Sequence, residues 1–198
     1  MRQTDENLML AVRDGDVGKL GILFDRHHRS LFEFFARMTG QRNVADDLVQ
    51  DVFFRILKYR RTFRDESWFK AWMFHIARNV RVDYYRNLPG DAVLEAAHVD
   101  GLASSTPVPG KQLEDLQQTR MLESAMFRLS PDKREVLILS RYHDMKYEQI
   151  AELMGCEVGT VKTRVHRALK ELRDIFFTLS SEESKCNVTK SENRLRAI

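Results

Sequence analysis

The chain of 198 residues has few cysteines, prolines and glycines, and it has no long apolar run. Its two cysteines, Cys156 and Cys186, match neither a disulfide framework nor a metal-binding spacing, which favours a reducing cytoplasm. No run approaches the roughly eighteen apolar residues of a membrane span, and the N-terminus lacks a long apolar core. We therefore expect a soluble cytoplasmic protein without membrane insertion. Nine glycines, four prolines and 31% charged residues favour helices over a turn-rich sheet protein.

The net charge of +3 is distributed unevenly along the chain. Residues 1–86 carry 16 basic and 12 acidic side chains, residues 87–119 carry 1 and 5, and residues 120–198 carry 15 and 12, which gives +4, −4 and +3. Two basic blocks around an acidic one indicate a polyanionic partner, although most charges on a helical protein simply solvate its surface.

Helical periodicity divides the chain into two parts. Apolar residues recur every three or four positions over 5–14, 16–38, 43–59 and 67–86, which predicts a four-helix domain within residues 1–86. Gly15 and Gly40 mark the ends of the first two helices, and Asn43 and Ser67 are placed as N-caps of the other two. The period is lost over 87–111, which holds three of the four prolines and predicts a flexible linker.

The second part, residues 112–177, is predicted to be another helical domain, with helices at 113–129, 130–143, 146–155 and 158–177. Ser130 is placed as an N-cap before Pro131. Residues 178–198 are polar, and we expect this tail to be disordered. The predicted fold class is thus all-α, with two small helical domains joined by a flexible linker.

The stretch "YEQIAELMGCEVGTVKTRVHRALKEL" has the pattern of a helix-turn-helix, with Gly155 at the turn. One side of its second helix carries valines, alanine and leucine, and the other carries Gly159, Thr163, His166 and Lys170 beside Arg167. Five basic residues against one acid over 159–173 suit a helix in the major groove of DNA. The alternatives are a solvated helix face and a metal site at Cys156 and His166, where two ligands would not close a zinc shell.

Residues 58–86 combine eight basic side chains with eight aromatic ones, including both tryptophans. Cations that follow a phosphate backbone, together with aromatic faces that stack on bases, are typical of single-stranded nucleic acid binding. The alternative is a core role, because a common helix face carries Phe69, Trp72, Met73, Ile76, Ala77 and Val80.

The stretch "DDLVQDVFFRIL", residues 46–57, places Asp46, Asp47, Gln50 and Phe54 away from its apolar face. An aromatic side chain beside carboxylates on an exposed face indicates a protein docking surface. Paired acids could instead act in catalysis or hold a metal, with candidate ligands His27, His28 and His75.

From about residue 20 to 175, these segments resemble in order and spacing the extracytoplasmic-function (ECF) group of bacterial RNA polymerase sigma factors. "DDLVQDVFFRIL" resembles the helix that binds core polymerase, and "FRDESWFKAWMFHIARNVRVDYYR" resembles the promoter-melting segment. The stretch from "LSPDKREVLILSRYHD" to "TRVHRALKELR" resembles the C-terminal promoter-reading domain.

The resemblance implies three functional surfaces. A polymerase face would bind the clamp helices of the β′ subunit, with the β subunit as a further contact, and comprises Asp47, Gln50, Asp51 and Phe54. A melting surface would bind the minus-ten element and hold a flipped base, and comprises Arg64, Trp68, His75, Arg78, Asn79 and Arg86. A recognition face would read the minus-thirty-five element as duplex, and comprises Lys162, Thr163, His166, Arg167 and Lys170.

The resemblance further implies a protein that is not an enzyme, needs no cofactor or metal, and is held inactive by an anti-sigma factor. The linker would thread through the polymerase. Glu157 departs from the small capping residue usual before the recognition helix, which puts its contact with DNA in question. Two competing hypotheses are a stand-alone helix-turn-helix regulator with an N-terminal sensor or dimerisation domain, and a metal-dependent hydrolase built on Asp46, Asp47 and histidines.

Overall fold

The computed structural model describes residues 3–88 and 113–195, with side chains over 3–88 and 117–182. These residues form helices and no strand, which confirms the predicted all-α fold. The N-terminal unit consists of α1 (Asp5–Arg13), α2 (Lys19–Thr39), α3 (Arg42–Tyr59), a 3-10 turn (Arg60–Thr62) and α4 (Phe69–Asn87). The C-terminal unit consists of α5 (Leu113–Arg128), α6 (Pro131–Leu137), a π-helical turn (Ile138–Tyr142), α7 (Tyr147–Met154) and α8 (Val158–Leu195).

The helix ends of the N-terminal unit follow the predicted glycines but not the predicted caps. Gly40 ends α2 in the left-handed conformation, with φ 74°. Asn43 lies inside α3, which begins at Arg42, and Ser67 precedes the N-cap position of α4 at Trp68. The first amide of α4 is satisfied from another helix, because the Phe69 backbone N–H donates to Oε1 of Glu6 at 3.3 Å.

The core of the N-terminal unit is built from the apolar faces that periodicity predicted. The buried side of α3 comprises Ala45, Leu48, Val49, Val52, Phe53 and Ile56. Phe34 of α2 is fully buried and meets the ring of Phe74 edge to face, with centroids 5.2 Å apart. The ring contact packs α2 against α4, and the polar faces of α3 and α4 are left outward.

The C-terminal unit differs from its sequence-based description in two helices. The helix predicted over 130–143 begins after Ser130 as expected, but its α-helical part ends at Leu137 and a π-helical turn follows. The last helix continues to Leu195, so the disorder expected from residue 178 is wrong over 178–195. Residues 196–198, and nearly all of the predicted linker, fall among positions that the structure does not describe.

Arg134 joins α5, α6 and the N-terminal unit through its guanidinium group. Its Nε donates to the carbonyl of Met126 at 3.0 Å, and its Nη2 donates to the carbonyls of Phe127 and Leu129. These bonds satisfy carbonyls at the end of α5 that have no partner within the helix. Its Nη1 donates to the carbonyl of Met38 in α2 at 3.2 Å, and burial lowers the pKa of this arginine.

The two units pack against each other, and their buried apolar side chains form one continuous cluster. The guanidinium of Arg37 in α2 lies 3.9 Å from the ring centroid of Tyr142. Lys70 of α4 donates a hydrogen bond from Nζ to the backbone carbonyl of His143. The described residues therefore adopt a closed arrangement of the two units.

Candidate polymerase and nucleic-acid interfaces

The polymerase face occupies the outer side of α3. Asp47 and Gln50 are exposed, and the Phe54 ring is 64% exposed although it is large and apolar. Asp51 is half-buried, and its carboxylate accepts a hydrogen bond from Arg55, with Nε to Oδ1 at 3.3 Å. Three of the four residues are therefore free of the core, and the fourth belongs to an ion pair.

Arg55 also fixes the angle between α3 and α4. Its Nη1 donates to Oδ2 of Asp83 at 2.7 Å, and the hydrogen bond from Arg55 lowers the pKa of the Asp83 carboxyl. Arg86, a member of the melting surface, donates from Nη2 to the other oxygen of Asp83 at 2.7 Å. The ion pairs therefore connect the polymerase face to the melting surface through one carboxylate.

Part of the melting surface surrounds a cavity of about 540 Å³. Of the six predicted residues, Arg64, His75 and Asn79 line it. The side-chain amide of Asn79 lies 3.5 Å from Nδ1 of His75, one helical turn away. The cavity is open to solvent, and both polar and aromatic side chains line it, so its lining suits a flat, hydrogen-bonding group.

The structure separates the other three members of the melting surface. Trp68 is exposed at the start of α4 and does not line the cavity. Arg86 lines a neighbouring cavity of about 430 Å³, which Asn79 borders as well. Arg78 faces the C-terminal unit, where its Nε lies 3.4 Å from a carboxylate oxygen of Glu135. The predicted set is therefore not one continuous surface in the closed arrangement.

Tyr59, Thr62 and Trp72 also line the larger cavity, and sequence reasoning left them out of the melting surface. Trp72 lies on a helix face for which the sequence left both a core role and base stacking open, and the structure leaves it half-buried, with its ring edge to face with Phe63 at 5.3 Å. Its position three residues before His75 and seven before Asn79 puts all three on one helix face. This spacing is the feature of the sequence that could have placed Trp72 beside His75 and Asn79 in the melting surface.

The predicted helix-turn-helix is present in α7 and α8. Gly155 makes the turn in the left-handed conformation with φ 60°, and α8 begins at Val158 as predicted. The inner side of α8 is buried and carries Val161, Val165 and Ala168. An ion pair between Lys133 of α6 and Glu171 further attaches α8 to its unit. The N-terminal half of α8 is thus held rigidly with its other side outward.

All five residues of the recognition face are exposed. The Thr163 hydroxyl donates back to the Gly159 carbonyl at 3.0 Å. No ion pair or hydrogen bond occupies the side chains of Lys162, His166, Arg167 or Lys170 within the described residues. Glu157 is exposed immediately before α8, where its backbone carbonyl accepts from Thr160 at 2.9 Å.

The residues proposed as metal ligands do not meet. Among the described positions, no group of three or more histidine, cysteine, aspartate or glutamate side chains could hold a metal ion. His27 is instead paired through Nε2 with Oδ2 of Asp5 at 2.7 Å. Cys156 is a free, half-buried cysteine beside the turn. The hydrolase hypothesis therefore has no geometric support in this part of the chain.

Comparison with known proteins assigns the two units to one family. Residues 23–88 match the family model "Sigma-70 region 2", and residues 119–172 match "Sigma-70, region 4". The ECF RNA polymerase sigma factor EcfG of Rhodopseudomonas palustris is 34% identical over 160 residues, covering 78% of this chain and 83% of the relative. The chain belongs to the ECF group of sigma-70 factors.

Further relatives and solved structures extend the similarity over most of the chain. The sigma factor CarQ of Myxococcus xanthus is 30% identical over 178 residues, covering 87% of this chain and 98% of the relative. Among solved structures, CnrH in complex with the cytosolic domain of CnrY is 25% identical with a TM-score of 0.66, covering 88% of this chain and 97% of that one. The sigma factor RpoE in complex with the anti-sigma factor NepR, from Bartonella quintana, is 30% identical with a TM-score of 0.61, covering 78% and 94%.

This sigma factor therefore directs RNA polymerase to promoters and takes part in the initiation of transcription. Its family is not a family of enzymes. Within the described residues, no helix is both long enough and apolar enough to cross a membrane.

Proposed function

We propose that this sigma factor initiates transcription by dividing three tasks among its three surfaces. The polymerase face docks on the β′ clamp helices, the recognition face reads the minus-thirty-five element, and the melting surface captures the opened minus-ten strand. The polymerase supplies all of the catalysis, so the sigma factor itself acts without a cofactor or metal. Because polymerase and chromosome share the bacterial cytoplasm, the protein works there.

The single observation that carries this proposal is the recognition face on the second helix of a helix-turn-helix. Its cations have no protein partner within the described residues, and the helix is anchored by a buried face on the opposite side. Such a helix fits the major groove, where Arg and Lys reach guanine edges and phosphates and Thr reaches either. Arg167 and Lys170 lie one turn apart, so one helix can contact base edges and the adjacent backbone.

The cavity beside α4 supports the melting task. A cavity of about 540 Å³ is large enough for a base, and Trp72 and Tyr59 supply aromatic faces beside the polar side chains of His75 and Asn79. Stacking on an aromatic face is worth about 1–3 kcal/mol per base, which is comparable with the cost of unstacking one base from a duplex. Arg64 at the rim provides a cation for a phosphate.

The exposed Phe54 ring supports the docking task. An aromatic side chain that is 64% exposed beside Asp47 and Gln50 combines an apolar anchor with a polar rim, the arrangement found at protein interfaces. The neighbouring Arg55 pairs with Asp51 in α3 and with Asp83 in α4, and so attaches this part of α3 to α4. We assign β′ rather than DNA as the partner because the exposed carboxylates would repel phosphates.

An anti-sigma factor is a further proposed partner. Of two structures similar to this chain, one is CnrH in complex with the cytosolic domain of CnrY, and the other is the sigma factor RpoE in complex with the anti-sigma factor NepR. A protein of that kind would have to cover the exposed surfaces of one or both units. The two units offer separate surfaces for such contact.

The proposal is tested by mixing the purified protein with sigma-free core polymerase and a library of promoter fragments, then mapping transcript starts. We expect a complex with core polymerase and new starts that share two sequence elements upstream. A matched reaction uses a variant in which Phe54 is replaced by Ala. Starts that are identical with and without the protein, together with no complex, would reject the proposal and favour a stand-alone regulator.

A further inference from the structure

Helix α1 holds the loop that connects the 3-10 turn to α4. We call residues 64–67 the capture loop; Arg64 lines the larger cavity, and all four residues line an adjoining depression of about 440 Å³. Arg13, the last residue of α1, donates from Nη1 to the Phe63 carbonyl at 3.3 Å and pairs through the same nitrogen with Asp65. One arginine from another helix therefore contacts both the entry of the capture loop and its second residue.

A second contact from the same helix holds the far end of the capture loop. Glu6 accepts through Oε1 from the backbone N–H of Phe69, the first residue of α4, at 3.3 Å. Glu6 and Arg13 are seven positions apart, so they lie on one side of α1, about two turns and roughly 10 Å from each other. The capture loop therefore lies between two anchors that belong to one helix.

Helix α1 can act as a rigid support because it is itself fixed to the rest of the N-terminal unit. Its inner side is buried in the core and carries Leu8, Met9 and Val12. At its start, Asp5 pairs with two residues of α2, with Arg26 at 2.6 Å and with His27 at 2.7 Å. The two anchor residues are therefore held in place by packing and by ion pairs that do not involve the capture loop.

The capture loop itself is short and exposed. Its backbone closes one turn, in which the N–H of Ser67 donates to the Arg64 carbonyl at 3.1 Å. Arg64, Asp65 and Glu66 are exposed, so burial gives the loop little support. Phe63 is buried and fixes the entry of the loop, but not the direction of the exposed side chains that follow. The geometry of the capture loop therefore depends on the anchors in α1.

The ion pair between Arg13 and Asp65 contributes to the shape and charge of the loop more than to stability. The two side chains are 25% and 71% exposed, and ion pairs at such sites add little to the free energy of folding. An unpaired Asp65 would place a negative charge beside the surface that the phosphates of the melted strand approach. Arg13 thus fixes the loop and compensates the charge of its acid.

We propose that Arg13 and Glu6 are positioning residues for base selection, which hold the capture loop in the shape that accepts one base of the opened minus-ten strand. Neither residue contacts the DNA. A site discriminates between ligands only when its groups are held within about 0.5 Å of the required geometry, which an unsupported loop does not achieve. Helix α1 precedes the stretch that matches region 2, which begins at residue 23. This inference rests on the proposed function of the melting surface.

The test measures base discrimination by the reconstituted holoenzyme. Transcription is compared on a mapped promoter and on promoters that carry single base substitutions in the minus-ten element. We expect R13Q and E6A each to lower the preference for the native base by roughly fivefold or more, because a loosely held loop no longer separates the right base from the wrong one. Affinity for core polymerase and for the minus-thirty-five duplex should stay the same, since those surfaces lie on other helices.

Two matched variants separate positioning from a general loosening of the fold. E6Q keeps a side-chain oxygen that can accept from the Phe69 N–H, so its base preference should equal that of the unmodified protein, unlike that of E6A. R26Q removes an ion pair that attaches α1 to α2 at Asp5, away from the capture loop, and should leave the base preference unchanged. An R26Q effect as large as that of R13Q would overturn the inference.

Hydrogen exchange in the free protein measures the anchoring without DNA. The amide of Phe69 should exchange faster in E6A, and the amide of Ser67 should exchange faster in R13Q. If R13Q does not fold, as judged by circular dichroism, D65N replaces it, because it removes the same ion pair from the exposed side. Faster exchange with an unchanged base preference would overturn the inference, as would unchanged exchange or an equal loss of transcription on every promoter.

The outcome is separable from that of the proposed function. If the unmodified protein directs specific transcript starts while R13Q and E6A keep the native base preference, the positioning role is wrong and the proposed function stands. If no starts depend on the protein, the proposed function fails and base selection fails with it, even where hydrogen exchange shows that α1 anchors the loop.

Discussion

Glu135 in α6 and Arg78 in α4 lie 3.4 Å apart across the boundary between the two units, and the glutamate is almost completely buried there. Arg78 lies in the stretch that matches region 2, and Glu135 lies in the stretch that matches region 4. Arg78 was expected to contact DNA, yet in the closed arrangement it is held by an acid from the promoter-reading unit. A residue's accessibility in the free protein thus depends on the relative placement of the two units.

Replacing two glycines of the helix-turn-helix by alanine should change the free energy of unfolding in opposite directions. Gly155 has φ 60°, so Gly155→Ala should lower the free energy of unfolding by about 1–2 kcal/mol although the space beside it is open. Gly159 lies within α8, also with open space around it, so Gly159→Ala should raise stability by about 0.5–1 kcal/mol. Urea unfolding followed by circular dichroism measures both. Equal effects of the two substitutions would contradict the assigned turn.

The recognition face is tested at Arg167. Arg167→Ala should weaken binding to the minus-thirty-five duplex by about 1–3 kcal/mol if this side chain contacts a base, measured as the affinity of holoenzyme for matched and scrambled sequences. Arg173→Ala is the control, because that arginine lies further along α8 beside Asp174. An equal loss on every duplex would make Arg167 a phosphate contact and remove it from sequence reading.

The polymerase face is tested at Phe54. Phe54→Ala removes an exposed aromatic anchor and should weaken core polymerase binding by about 2 kcal/mol or more, while the free protein stays as stable as before. Phe177→Ala is a matched control, since that ring is 63% exposed on the other unit. Binding to immobilised core polymerase measures the effect. If the control variant loses as much affinity as Phe54→Ala, docking is not specific to α3.

The closed arrangement should weaken as pH falls. Burial, together with Lys70 and Arg37, lowers the pKa of His143 to about 4. An exposed imidazole has an ordinary pKa near 6.5 and takes up a proton below that pH, whereas the buried imidazole of His143 stays neutral until about pH 4. The folded protein therefore loses stability progressively between about pH 6.5 and 4. At pH 5.5 the loss is about 1 kcal/mol, or roughly 2–4 °C in the unfolding midpoint.

Other groups at the interface also titrate, so the pH test needs a matched variant. Glu135 has a raised pKa and acts in the opposite direction, because the buried carboxyl takes up a proton before an exposed one does. Thermal unfolding between pH 7 and 5 should therefore be compared in the unmodified protein and His143→Gln. We expect a flatter dependence in the variant. The same slope in both proteins would show that His143 does not contribute.

Most helices and the helix-turn-helix could be predicted because they rest on local periodicity and turn chemistry. The buried face of α3 and the turn at Gly155 follow from spacing and from the φ that glycine tolerates. The N-cap predicted at Ser67 was wrong because Glu6 of another helix accepts from the first amide of α4. The N-cap predicted at Asn43 was wrong because α3 already begins at Arg42. The extension of α8 to Leu195 was missed because polar residues without an apolar face give no periodic signal.

The packing of the two units could not be predicted, because it depends on residues far apart in sequence. His143 and Glu135 carried no motif, and each acquires its role only beside Ser30 or Arg78 on another helix. Trp72 illustrates the same limit, since its spacing fits both the core and the cavity that it lines. The family's motifs identified which surfaces to expect but not which of them are covered in the free protein.

The central claim, that one chain reads two separated promoter elements for the polymerase, is tested most directly by changing the spacing between them. Transcription by the reconstituted holoenzyme is measured on a mapped promoter and on a version with five base pairs inserted between the elements. Five pairs turn one element to about the opposite side of the duplex, since a turn is about 10–10.5 base pairs. We expect initiation to fall at least roughly tenfold, by 1.4 kcal/mol or more. Unchanged initiation from the lengthened promoter would contradict the account.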